Sequence, residues 1–234
     1  MSAFEILSGS ALGSLLGMRH ALEPDHLTAV STLVTTAPGE RGRYRAAMLG
    51  AFWGLGHTLS LVVVGAILVV LRAEMPARVS DVFELFVAIM LVGLGIRAIA
   101  LAIRQGRVGP AQVHHHGHVV HTHSGAAPHV HVGRWTLARR PLLVGAVHGL
   151  AGSGALTALV LATLTSTTAR ITYMALFGFG STLGMAVLSG LLGWPVARLG
   201  ANRSLARAVS VIVGGASIAL GVFWGYPLTS RLFL

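Results

Sequence analysis

Long apolar runs separated by short, arginine-bearing polar intervals set the pattern of this chain. Five runs, over residues 46–71, 79–103, 142–165, 173–196 and 206–226, are long enough to cross a ~30 Å hydrocarbon core as helices. Residues 4–36 are also mostly apolar, but Arg19, His20, Glu23, Pro24, Asp25 and His26 interrupt their middle. The pieces on either side are each shorter than the ~17 residues a span needs, so together they read as one broken element. The expected fold is all-α: a polytopic membrane protein of six transmembrane helices, the first broken near Pro24. Splitting that first element gives the alternative of seven. Residues 1–104 form a first three-helix unit, 105–140 a histidine-rich loop, and 141–234 a second three-helix unit.

Composition agrees with a membrane location. Of 234 residues, 54% are hydrophobic and only 10% charged, and the mean hydropathy is +0.75. A soluble domain carries roughly 25% charged residues. The net charge of +10 comes from 17 basic residues, all arginine, against seven acids. Their placement between apolar runs argues for basic membrane loops and against nucleic acid. Eleven arginines fall in loops one, three and five, and four in loops two and four and the C-terminal tail. By the positive-inside rule the odd loops are cytoplasmic, and with six spans both termini face outward. Arg97, late in a span, snorkels to the cytoplasmic surface. No cysteine is present, which excludes thiolate sites and disulfides. No cleavable signal peptide is expected.

The two halves echo each other. Gly-Leu-Gly-His-Thr-Leu at 54–59 returns as Gly-Phe-Gly-Ser-Thr-Leu at 178–183, and Leu-Thr-Ala-Val at 27–30 as Leu-Thr-Ala-Leu at 156–159. The offsets are 124 and 129 residues. Three spans per copy is an odd number, so the second copy inserts inverted, an arrangement typical of secondary transporters with a site at the repeat interface. Asp25, His26 and His57 correspond to Ser153, Gly154 and Ser181. One asymmetric site is therefore expected rather than two equal ones.

Ionisable groups at bilayer depth are costly and point to function. On an unbroken helix Asp25 and His26 would lie about 140° and 240° from His20, too far apart to meet one ion. Pro24 lacks an N–H and is expected to leave the carbonyl of residue 20 unbonded, allowing a break that turns these side chains inward. Two imidazoles and a carboxylate suit nickel, cobalt or zinc rather than calcium or magnesium. His57, between close-packing glycines, supplies a further imidazole. The candidate metal ligands are His20, Asp25, His26 and His57. Glu23 reads as a gating acid beside the site. His148, within Gly-Ala-Val-His-Gly-Leu-Ala-Gly-Ser-Gly-Ala, either lines the path or packs as a hydrogen-bonded histidine. Ser153 and Ser181 are placed along the path by their correspondence to site residues.

The third loop holds His114, His115, His116, His118, His121, His123, His129 and His131. Eight imidazoles among Gly, Val, Ser and Pro read as a disordered, metal-binding segment. Its assignment to the cytoplasm makes it a buffer, donor or sensor there. Flexible histidines bind many metals with little selectivity, so it is not the transport site.

Together these residues resemble a known family. His20-Ala-Leu-Glu-Pro-Asp25-His26 fits the His-x4-Asp-His signature of the nickel/cobalt permeases, and Leu55-Gly-His57-Thr resembles their Leu-Gly-His-Ser/Thr signature. His148-Gly-Leu-Ala-Gly-Ser resembles the UreH-type branch, often found with urease genes. The resemblance implies transport of nickel(II) or cobalt(II) across the cell (inner or plasma) membrane, with His20, Asp25, His26 and His57 in the selective site. It also implies cytoplasmic metallochaperones or urease-maturation proteins as partners. The chain is shorter than eight-span members, its second half lacks their acidic motifs, and its histidine loop resembles that of related efflux proteins. No resident cofactor is expected, since the metal is cargo. No ATP-binding signature occurs, so energy comes from a gradient or a separate partner. Uptake is the leading expectation, efflux the alternative. An intramembrane metalloenzyme is a third reading, but no His-Glu-x-x-His motif accompanies the site.

Overall fold

The computed structural model describes residues 3–35, 42–71, 73–105, 112–116, 119–123, 130–132, 135–137, 139–164, 166–199 and 202–233. Among the described residues seven helices form the body: α1 (Ala3–His20), α2 (Pro24–Thr35), α3 (Gly42–Leu71), α4 (Ala77–Gln105), α5 (Arg139–Thr163), α6 (Thr167–Leu199) and α7 (Arg203–Phe233). Four of the five apolar runs lie wholly on one helix each, with the helix extending past the run at one or both ends; the run 142–165 overshoots its helix, α5, which ends at Thr163. Ser166 and Asn202 cap the starts of α6 and α7, accepting from the N–H groups of Ala169 (3.1 Å) and Leu205 (3.2 Å). Among the described residues, α3, α4, α6 and α7 are each long and apolar enough to cross a membrane.

The N-terminal element is broken where the polar residues stand. α1 ends at His20 and α2 begins with Pro24 in the first helical position, where its missing N–H costs nothing. The expected free carbonyl at residue 20 is not found: it accepts from the Glu23 N–H at 3.0 Å. The chain closes the break with tight turns (Leu22 N–H to the Arg19 carbonyl, 2.9 Å), so it is the side chains, not the backbone, that are left to face inward. The 12-residue α2 is only ~18 Å long, too short to span, and packs within the bundle against α4, α6 and α7.

The histidine-rich loop also differs from expectation. Strands β1 (Gln112–His116) and β2 (Val119–His123) pair antiparallel, as do β3 (Val130–Val132) and β4 (Trp135–Leu137). Val, Thr and Trp, which favour extended backbone, occur in these short pieces and are compatible with strand pairing in place of the structureless segment expected.

Helix pairing has a regular form. α3 packs on α6 and α4 on α7; α3 packs on α5 as α6 packs on α1; and α4 touches α5 as α7 touches α2. Close approach depends on glycine. A Cβ at Gly17 would run into the Phe177 carbonyl, and one at Gly145 into the carbonyl of Trp53, which stands 124 positions before Phe177. The outward faces correspond as well. Leu55, Leu59, Val63 and Ile67 form an exposed stripe on α3, and Phe179, Leu183, Val187 and Leu191, each 124 positions later, form one on α6. A water-facing helix would carry polar residues there, so these stripes fit hydrocarbon surroundings.

Candidate metal centre

The helix break, α3 and α5 deliver their polar side chains to one place. His20 closes α1, Asp25 and His26 lie in the first turn of α2, His57 sits at the middle of the 30-residue α3, and His148 lies on α5. Asp25 gains from its position at a helix N-terminus, where the peptide dipoles favour an anion. His26, His57 and His148 are each at most 1% exposed, and Asp25 is 6% exposed. Buried polar groups of this kind need partners or a ligand.

Two overlapping sets of ligand atoms result. Those of His20, His26 and His57 lie within 4.8 Å of one another, as do those of Asp25, His26 and His148. The Nε2 atoms of His20 and His57 face each other at 3.3 Å. His26 donates from Nδ1 to Asp25 Oδ1 at 3.0 Å, and His148 donates from Nε2 to Asp25 Oδ2 at 2.6 Å. His20 directs Nδ1 to Glu23 Oε1 at 3.0 Å. On the buried side, His26 Nε2, His57 Nδ1 and His148 Nδ1 have no hydrogen-bond partner. Converging imidazole nitrogens on buried rings, several of them without a hydrogen-bond partner, are the kind of donor set that suits a borderline divalent cation.

The four residues anticipated as ligands are thus brought together. Glu23 stands at the rim with its side chain half exposed, in contact with His20. His148, which sequence left between path and packing, is bonded directly to Asp25 and belongs to the cluster. Ser181 is fully buried with an unpartnered hydroxyl on α6. Ser153 lies on α5 at a position whose side chain falls outside the described residues. Of the loop histidines, His114, His115, His116, His121, His123 and His131 fall on described strands, while His118 and His129 lie outside the described residues.

Two aromatic walls escaped the sequence reading. Trp53 is fully buried, with its ring centroid 5.5 Å from His26 and 5.7 Å from His148, and Phe177 stands 5.3 Å from His20. Trp53 lies four residues before His57, one helical turn away, and that spacing is the signal that could have found it.

Comparison with known proteins gives a family. A family profile described as NicO, high-affinity nickel-transport protein, matches residues 7–224. The chain is 32% identical over 236 residues to the urease accessory protein UreH of Bacillus sp. (strain TB-90), covering 100% of this chain and 98% of that protein. It is 24% identical over 233 residues to the chloroplast protein FOR GROWTH AND FERTILITY 2 of Arabidopsis thaliana, covering 96% of this chain but 59% of the plant protein. No solved structure matches.

Proposed function

The chain belongs to the NicO family of high-affinity nickel-transport proteins, and on that footing we propose that it takes up nickel(II) through the buried His20–Asp25–His26–His57 cluster, which His148 completes. Membership makes it a membrane transporter rather than an enzyme, with a divalent metal ion as its substrate. The observation that carries the site is the convergence of His20, His26 and His57 from three helices. Two nitrogens ~2.0–2.1 Å from one ion lie ~2.9 Å apart at right angles and ~3.4 Å apart at the tetrahedral angle. The 3.3 Å between the two Nε2 atoms falls within that range.

In this reading six spans cross the cell membrane, with the α1–α2 pair counted as one, in two inverted three-helix repeats. The reciprocal helix pairing and the 124-residue correspondence of outward stripes support the repeat. A site formed where a helix breaks, at the interface of two repeats, is how secondary transporters hold cargo near the midplane. The arginine bias supports a cytoplasmic histidine loop, which in this reading receives the ion and passes it to a metallochaperone or, as the likeness to a urease accessory protein suggests, to urease-maturation proteins. Cobalt(II), with the same ligand preferences, is a second cargo.

The test is radioactive nickel accumulation in cells expressing this chain, beside His26→Ala at matched membrane abundance. Accumulation above empty-vector cells that His26→Ala abolishes is the expected result. Accumulation below empty-vector cells, again dependent on His26, reverses the direction to efflux. No change for either form removes nickel as the cargo.

A further inference from the structure

The acid of the His-x4-Asp-His signature is placed to do something other than bind the ion. Both oxygens of Asp25 are engaged by imidazoles, Oδ1 by His26 and Oδ2 by His148. An ionised carboxylate only accepts, so each ring donates an N–H to it. That fixes the tautomer of His26, whose remaining lone pair is on Nε2, the atom buried without a partner. The two nitrogens sit on opposite edges of a five-membered ring. An ion held at Nε2 is therefore out of reach of a carboxylate bonded at Nδ1. Glu23 makes the same contact on His20: it takes Nδ1 and leaves Nε2 for the side shared with His57. A carboxylate behind a ligating imidazole is the usual means of setting its tautomer, orientation and basicity.

Resting on the reading of this cluster as the transport site, we infer that the ion is held by an imidazole face of His20, His26 and His57. Asp25 is a positioning residue: it aims His26 and is itself held by His148 from α5. The ring centroids of the three ligands lie 4.4, 5.2 and 5.1 Å apart. Rings bound through nitrogen to one ion at ~2.0–2.1 Å have centroids roughly 4.5–5.2 Å apart for angles between right and tetrahedral. His148 then ties the second half of the chain to the metal without touching it, through a carboxylate 123 residues away in sequence.

The experiment uses the full chain in detergent, with the eight loop histidines replaced by glutamine so that only the buried site takes metal, loaded with equimolar nickel. X-ray absorption counts imidazole ligands, and infrared difference spectra on nickel addition follow the carboxylate stretches, with Asp25→Asn assigning them. Three imidazoles, and no metal-ligation shift of the Asp25 stretches, are expected. Asp25→Asn lowers nickel affinity roughly 10- to 100-fold while keeping a nitrogen-ligated ion. His148→Gln, whose amide still donates to Asp25, keeps three imidazoles and recovers most of the affinity that His148→Ala loses. A carboxylate shift characteristic of direct ligation, or one imidazole fewer in His148→Gln, overturns the inference while leaving the transport site standing. A chain that binds no nickel at all once the loop histidines are gone overturns the transport site itself.

Discussion

The hydroxyls of Thr58 on α3 and Thr182 on α6 meet at 2.8 Å, and Thr58 Oγ1 also lies 2.8 Å from the Gly178 carbonyl. Each threonine stands four residues after a glycine, and each glycine packs against the other helix's threonine: Gly54 on Thr182, Gly178 on Thr58. The central helix pair is therefore held by small residues and shared hydroxyls rather than by apolar bulk, as expected where lipid offers no hydrophobic drive for association. Thr58→Val should cost about 0.6–1.7 kcal/mol, the range for interhelical hydrogen bonds in membranes. The double variant with Thr182→Val should cost less than the sum of the two single ones, because they break a common bond. Additive losses in detergent unfolding would remove this bond from the account of α3–α6 packing.

The glycines beside the site should be among the least tolerant positions. A Cβ at Gly149 would strike the His57 carbonyl, whereas one at Gly93 on α4 meets nothing within 4 Å. Overpacking a close backbone contact costs about 1–3 kcal/mol or more. Gly149→Val should lower the melting temperature and nickel binding together, and Gly93→Ala should leave both unchanged. Equal tolerance of the two would argue against the α3–α5 contact.

Removing a ligand should weigh more than removing a residue behind one. His57→Ala should reduce nickel affinity by at least the roughly 10- to 100-fold typical of losing an outer partner. With its ring fully buried and one nitrogen unpartnered, the loss should appear in metal titration more than in thermal stability. A drop in stability with metal affinity intact would make His57 a packing residue.

Imidazole binds metal only as the neutral base, so protons compete with nickel for the same lone pairs. Affinity is highest where the ligands are unprotonated, so a titration carried downward from neutral pH should show the dissociation constant rising as protons displace the ion. An affinity that increases as pH falls counts against histidine ligands.

Deleting residues 112–132 should alter metal handling far less than His26→Ala, because histidines that bind many metals with little selectivity are poorly suited to be the selective site. Uptake rates measured at low external nickel should remain within a few-fold of the intact chain. Loss as complete as that of His26→Ala would move the selective step into the loop.

The sequence carried a good part of the site because its signals are local. A proline two residues after Ala-Leu within a run of apolar residues, with His20, Asp25 and His26 around it, marks a break and a cost that only function explains. The tight turn that occupies the His20 carbonyl was not legible, since it depends on how the Glu23 N–H folds back, not on which residue is proline. The extended pairing in the histidine loop was not legible either, because its glycine and histidine content reads as a structureless segment and its few valines and threonines form no regular alternation.

Hydrophobic patterning and arginine placement by themselves determined a helical membrane protein and its apolar runs, because these follow from transfer free energies along the chain, while the His and Asp content of the broken first element set which donor chemistry it offers. Only the tertiary structure decided that His148 joins Asp25, that Trp53 lines the cluster, and that Asp25 turns both oxygens to imidazoles. Those contacts join segments more than a hundred residues apart, or different helices. They exist because α5 approaches α3 closely enough at Gly145 and Gly149 to bring its histidine to the broken first element. No local pattern encodes that approach, which is a property of how the helices pack.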